Sequence, residues 1–171
     1  EMAMPEVKVY ALEKNIPVYQ PETLKDGEIL PILEEFRPDV IIVVAYGKIL
    51  PEYILSFPKY GCINIHGSLL PEYRGAAPIQ RAVIDGKKVS GVTSMYMEKG
   101  LDTGDMLIKR ELPIGREITA GEYHDELALL GGKVLLETLD ALSEGTLSPQ
   151  KQDDSLSTYA SQLSKAEGEI D

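Results

Sequence analysis

Val40-Ile-Ile-Val-Val-Ala45, closed by Tyr46-Gly47, decides the fold class. Six apolar residues in succession, mostly β-branched, lack the alternation of a half-wetted strand and match a parallel strand buried on both faces. This run is expected to be the central strand of a sheet. Gly61-Cys-Ile-Asn-Ile-His66 follows as the next strand, after a helical turn expected over 51–56. Helix and strand signals alternate on either side, which predicts an α/β domain with a mostly parallel sheet flanked by helices.

Upstream, residues 7–14 read as a short amphipathic helix closed by Asn15, and Ile16-Pro-Val-Tyr19 as a short edge strand. Residues 27–36 read as a helix with Pro31 in its first turn. Downstream, Pro78 is placed to open a helix running to Asp85, and Gly86-Lys-Lys88 turns the chain. Strands are expected over 92–97 and 106–112. Thr119-Ala-Gly-Glu122 reads as a capping box for a long helix with Leu127, Leu130, Val134, Leu135, Leu139 and Leu142 on one face and Gly145 at its stop. Gly131-Gly132 in its middle predicts close helix packing. From Gln150 the text turns polar, as a linker would.

Composition narrows the function classes. A chain of 171 residues with 43% hydrophobic content is long enough for one domain with a real core. The net charge of −11 argues against binding nucleic acid through an overall basic field. The single cysteine, Cys62, sits in an apolar run and is expected to be a buried thiol. No stretch approaches the ~20 apolar residues of a membrane span, and Glu1-Met-Ala-Met-Pro5 is no secretion signal, so no membrane partner and a cytoplasmic location are expected. His124 has no Cys or His at ligand spacing, and no Walker or dinucleotide glycine loop is present, so no metal, ATP or nicotinamide is expected.

The chemistry concentrates in Cys62-Ile-Asn-Ile-His66-Gly-Ser-Leu-Leu-Pro71-Glu-Tyr-Arg-Gly75 and Lys99-Gly-Leu-Asp-Thr-Gly-Asp105. Residues i and i+2 of a strand share a face, so Asn64 and His66 project into one space. An amide NH2 and an imidazolium both donate hydrogen bonds, which suits a developing oxyanion. Asp102, in the next loop, is the candidate carboxylate to orient the ring. The plain structural readings are a capped strand end for Asn64 and His66, and a turn cap for Asp102 and for Asp105.

These two stretches resemble the formyltransferases that use 10-formyltetrahydrofolate. The block Asn64-x-His66-x-Ser68-Leu-Leu-Pro71 and the loop Asp102-x-Gly104, 102 − 66 = 36 residues downstream of the histidine, look like that family's signature. Tyr73-Arg-Gly-Ala-Ala-Pro78-Ile-Gln80 and Gly91-Val-Thr-Ser-Met-Tyr-Met97 look most like its methionyl-tRNA branch. The resemblance covers 5–171 and implies a Rossmann-like formyltransferase fold.

It also implies roles. Asn64, His66 and Asp102 would be catalytic. Gly47, Ile49 and Leu50 would pack on the pterin of 10-formyltetrahydrofolate, Ser68, Leu69, Leu70 and Pro71 would form an apolar folate-binding wall, and Lys99 and Leu101 would close over the pocket. From pattern alone, the two leucine segments read equally as core. Arg74 would face tRNA or ion-pair with Glu72.

The implied reaction is formyl transfer to the α-amine of initiator methionyl-tRNA by a monomer. The alternatives are a sugar-nucleotide or glycinamide ribonucleotide amine as acceptor, or an inactive folate-binding remnant. By the same resemblance, 1–149 is expected to be a catalytic domain lacking the family's opening strand, helix and strand, and 150–171 a linker toward an absent C-terminal domain that carries most of the basic tRNA-facing surface.

Overall fold

The structure, a computed structural model, describes residues 4–25 and 27–169, so both ends of the expected domain boundaries, at 1 and 171, lie outside the described residues. Two compact units, Glu1–Phe36 and Arg37–Asp171, are distinguished by their internal contacts.

In the first unit, α1 (Glu6–Glu13) forms where expected and Asn15 ends it in the left-handed region at φ 56°. None of its residues is buried, so the expected apolar face is not used as one. The expected strand at 16–19 does not form: Pro17 has no N–H to donate, and no strand lies beside this segment among the described residues. α2 (Leu30–Phe36) starts three residues later than expected, with Pro31 in its first turn, and Tyr19 meets Phe36 edge to face at 6.0 Å.

The second unit is built on a four-stranded sheet in the order β1 (Ile41–Val44), β2 (Cys62–His66), β4 (Val89–Tyr96), β5 (Met106–Pro113). The short β3 (Arg74–Gly75) lies outside this sheet. Between the strands come α3 (Glu52–Leu55), α4 (Pro78–Ile84) with Pro78 in its first turn, and after them α5 (Ala120–Glu144). The α/β, Rossmann-like class holds, with a mixed sheet rather than a mostly parallel one. β1 and β2 are parallel, while β2 with β4 and β4 with β5 are antiparallel. The hairpin joining β4 and β5 leaves them no other relation. β1 is not central: among the described residues it is paired only on its β2 side, and Val44 is exposed.

The two faces of β2 have different jobs. Ile65 faces α5, where a Cβ on Gly131 would stand 3.4 Å from its Cγ2, so the glycine lets the helix sit close to the strand. Val92, Tyr123, Leu127 and Val134 form the core on this side, with Ile65, Ile108 and Leu112 packed against them. α5 opens with the expected capping box, Thr119 accepting from the Glu122 N–H, worth about 1 kcal/mol. Its buried stripe is Tyr123, Leu127, Gly131, Val134 and Thr138. Leu135, Leu139 and Leu142 are only half-buried, because Tyr123 and Thr138 take the inward positions; Thr138 meets Ser94 of β4 at 2.8 Å.

The opposite face carries Asn64 and His66, paired across β4 with Met95 and Thr93. Leu70, Met95 and Met106 make the smaller core there.

The polar segment after Gln150 runs along the same unit. Gln150 bridges Met106, a 3-10 turn spans Asp154–Leu156, and β6 (Tyr159–Ala160) pairs in parallel with β3. Ala160 is fully buried.

Candidate active site

His66 is the centre of the arrangement. It is 6% exposed, and its Nε2 lies 2.9 Å from the Tyr73 carbonyl oxygen. A carbonyl only accepts, so Nε2 carries a proton. Nδ1 then faces Asp102, whose Oδ2 is 3.7 Å away, within ion-pair range but too long for a hydrogen bond. Both polar neighbours of the ring are acceptors. At 3.7 Å the carboxylate leaves Nδ1 without a hydrogen bond among the described residues.

Asp102 reaches this position by an indirect route. Because β4 runs antiparallel to β2, the loop after it begins beside the first residue of β2, where the Met97 N–H donates to the Cys62 carbonyl at 2.8 Å. His66 stands four residues further along β2, roughly 13 Å at strand rise. The loop must therefore cross the face that carries Asn64 before Asp102 can meet the ring. Its tight path explains the Asp-x-Gly text. A Cβ on Gly104 would stand 1.9 Å from the Tyr96 carbonyl oxygen, and Asp102 itself is left-handed at φ 52°. Such a backbone costs on the order of 1 kcal/mol for a non-glycine residue. Asp102 Oδ2 accepts from the Gly75 N–H at 2.9 Å, which fixes the carboxylate.

The carbonyl that holds the other ring nitrogen belongs to a second left-handed residue, Tyr73 at φ 59°. Its N–H donates to Thr158 Oγ1 and its hydroxyl to Asp85 Oδ2, both at 2.8 Å. Burial and then the Asp85 carboxylate push the Tyr73 phenol well above its ordinary value, so it stays neutral.

Asn64 is half-buried, and among the described residues its amide makes no side-chain hydrogen bond. It is therefore an uncommitted donor on the same strand face as His66. Thr93, opposite His66, braces the following loop: its hydroxyl donates to the Ser68 carbonyl at 2.7 Å and accepts from the Leu70 N–H at 3.1 Å.

The expected folate residues divide by exposure. Ser68 and Leu70 are fully enclosed, the Ser68 hydroxyl donating to the Glu72 carbonyl at 2.6 Å, so both stand behind the surface of any pocket. Leu69 packs over Gly91, where a Cβ would meet Leu69 Cδ2 at 2.8 Å and the Arg110 carbonyl oxygen at 2.1 Å. Pro71 is half-buried and Leu50 buried. Gly47, Ile49 and Leu101 are exposed, Ile49 at 85%. Lys99 forms an ion pair with Glu52 at 2.9 Å, which ties the loop of Leu101 to the helix just beyond Ile49 and Leu50.

Arg74 does not pair with Glu72, which instead accepts from Lys87 at 2.7 Å. Its guanidinium donates to Asp154 at 2.8 Å and to Gln152 Oε1 at 3.0 Å. Cys62 is buried, its thiol directed at the Ile54 carbonyl and pushed up to about 11 by burial. His124 is exposed beside Asp125. No group of metal-ligating side chains is found among the described residues, and no described helix is long and apolar enough to cross a membrane.

The formyl transferase family profile matches residues 1–139. The chain belongs to the formyl transferase family. A methionyl-tRNA formyltransferase of Caldanaerobacter subterraneus subsp. tengcongensis is 56% identical over 166 residues, covering 96% of this chain and 54% of that protein. The chain thus spans about half the length of the curated relatives it matches.

Among solved structures, phosphoribosylglycinamide formyltransferase from Anaplasma phagocytophilum superposes with a TM-score of 0.76 at 23% identity, over 86% of this chain and 76% of that one. WlaRD, a sugar 3N-formyl transferase solved with dTDP and 5-N-formyl-THF, gives 0.71 at 21% identity, over 90% of this chain and 52% of that one. These two likenesses establish a shared formyl transferase fold.

Two residues of the site were missed by sequence reading, Gln152 and Thr158. Both lie in the polar stretch after Gln150, and neither has a local signal, since their partners are 50 and 85 residues away.

Proposed function

We propose that the chain carries the catalytic centre for formyl transfer from 10-formyltetrahydrofolate to the α-amine of methionyl-tRNA. The observation that carries this reading is the uncommitted Asn64 amide on the strand face where His66 and Asp102 converge. No nucleophilic serine or thiol stands in that set, and Cys62 is buried elsewhere, so the attacking group is the substrate's own amine.

The neutral amine attacks the formyl carbon, forming a C–N bond as the carbonyl π electrons move to oxygen. Free α-amines titrate near ~7.7–8.0 and the esterified amine lower still, so neutral amine is available at physiological pH. Asn64 donates to the developing oxyanion, and the unsaturated Nδ1–H of His66 is its second donor. Asp102 balances the imidazolium. Collapse returns the electron pair to carbon and breaks its bond to N10. The proton lost by the amine is delivered to N10, with the His66 and Asp102 pair as the route. N-formylmethionyl ester and tetrahydrofolate result.

The folate would lie against Gly47, Ile49, Leu50 and Leu101, with Lys99 above it and the segment of Ser68, Leu69, Leu70 and Pro71 as its backing. Arg74 would meet tRNA phosphate by exchanging Asp154, whose side chain is 84% exposed and so gives up little. The division at 149/150 keeps every proposed catalytic side chain on one side. The acceptor is tested by offering methionyl-tRNA, glycinamide ribonucleotide and an amino-sugar nucleotide with the same formyl donor. Transfer only to methionyl-tRNA is expected. Preferential transfer to a small acceptor overturns the assignment, and folate binding without any transfer supports the remnant reading instead.

A further inference from the structure

Gln152 occupies a position that the chemistry of the reaction does not itself require. Its amide Nε2 donates to two backbone carbonyls of the catalytic loop, those of Asp102 and Gly104, each at 2.8 Å. Its Oε1 accepts from Arg74 Nε at 3.0 Å. Arg74 belongs to β3, whose other residue, Gly75, donates its N–H to Asp102 Oδ2. One side chain therefore ties together the two segments that fix the Asp102 carboxylate, one through its backbone and one through its acceptor oxygen. A glutamine is suited to this, because it offers two N–H donors and an oxygen on one planar group. The constraint matters here because Asp102 is held in a left-handed backbone at the end of a loop that crosses the sheet.

We propose that Gln152 is a positioning residue for Asp102, holding the carboxylate at its distance from His66. This rests on the formyl-transfer reading of the His66 and Asp102 pair. Displacing a reacting group by about 1 Å can cost on the order of 100-fold in rate.

Gln152→Glu separates the two halves of the role. It keeps an oxygen for Arg74 and removes the donors to the loop, placing a carboxylate against two carbonyl oxygens. Gln152→Leu removes both halves without adding charge. Each full-length variant is compared with the parent in formyl transfer and in amide hydrogen exchange. The expected result is a kcat lowered roughly 10- to 100-fold, with KM for the formyl donor unchanged within about twofold. Exchange at the Gly75 amide should quicken at least about tenfold, while Ile63 and Met95 in the sheet keep their protection.

A kcat within twofold of the parent in Gln152→Glu, or unaltered Gly75 exchange in both variants, overturns the proposal. If the parent itself transfers no formyl group, the formyl-transfer reading fails on that control, and Gly75 exchange still decides whether Gln152 holds the loop. Asp154→Ala, which loosens Arg74 from its outer side only, should leave Gly75 exchange as in the parent.

Discussion

His66 Nδ1 stands 3.7 Å from Asp102 Oδ2, close enough for charge balance and too far for a hydrogen bond. Asp102 Oδ2 accepts from the Gly75 N–H and His66 Nε2 donates to the Tyr73 carbonyl, so in the proposed reaction Nδ1 is the ring nitrogen left for the substrate.

Asn64 is the donor with no competing partner among the described residues, and its loss should fall on turnover alone. Asn64→Ala is expected to bind a folate analogue as the parent does and to lose about 100- to 1000-fold in kcat, the usual cost of one oxyanion donor. Titration calorimetry beside steady-state kinetics checks both halves. An unchanged kcat removes Asn64 from the oxyanion site.

Asp102→Asn keeps an oxygen to accept from Gly75 and loses the charge beside the ring. The loop should stay in place, so KM for the formyl donor should hold while kcat falls by roughly 100-fold, within the range of general acid–base contributions. The pH dependence of kcat should change shape as well. A profile that superposes on the parent's, scaled or not, argues that Asp102 only supports the loop.

Much of this was legible in the chain. The strand expected over 61–66 forms over Cys62–His66, with Asn64 and His66 on one side and Ile63 and Ile65 on the other, and α5 announces itself through the Thr119 capping box. The leucine positions of α5 misled in part, since Tyr123 and Thr138 were not counted as apolar yet both turn inward and find partners, the Leu112 carbonyl and Ser94. β1 had the composition of a buried central strand, but composition does not report which neighbours a strand has. Gln152 was invisible for a similar reason. A polar residue in a polar stretch reads as solvated, and its value lies in partners 48, 50 and 78 residues away.

Burial of Cys62 makes a signed prediction for alkaline conditions. Its thiol is pushed from 9.0 up to about 11, so between those values the unfolded chain has released the proton and the folded chain retains it. The stabilisation is full below about pH 9 and is lost as pH rises toward 11, to a limit of roughly 2–3 kcal/mol. Urea midpoints at pH 8 and pH 10.5 should therefore fall further apart in the parent than in Cys62→Ala. An equal fall in both would mean that this thiol does not drive the alkaline loss.

Gly131 and Gly132 are adjacent on α5 and should respond in opposite directions. Nothing lies within 4 Å of a Cβ at Gly132, so Gly132→Ala gains helix propensity alone, about 0.8–1 kcal/mol. At Gly131 the added atom already stands 3.4 Å from Ile65, and Gly131→Val should wedge the helix away from β2. Thermal melts should show a rise of about 2–4 °C for the first and a fall for the second. A Gly132→Ala melt below the parent's would contradict the open placement.

The account stands on His66 as the group around which formyl transfer is organised. The most direct measurement is transfer of labelled formyl from 10-formyltetrahydrofolate to charged initiator methionyl-tRNA by this chain, beside His66→Ala. The account predicts transfer by the parent and its loss in a variant that still binds folate. Equal transfer by the two would contradict it.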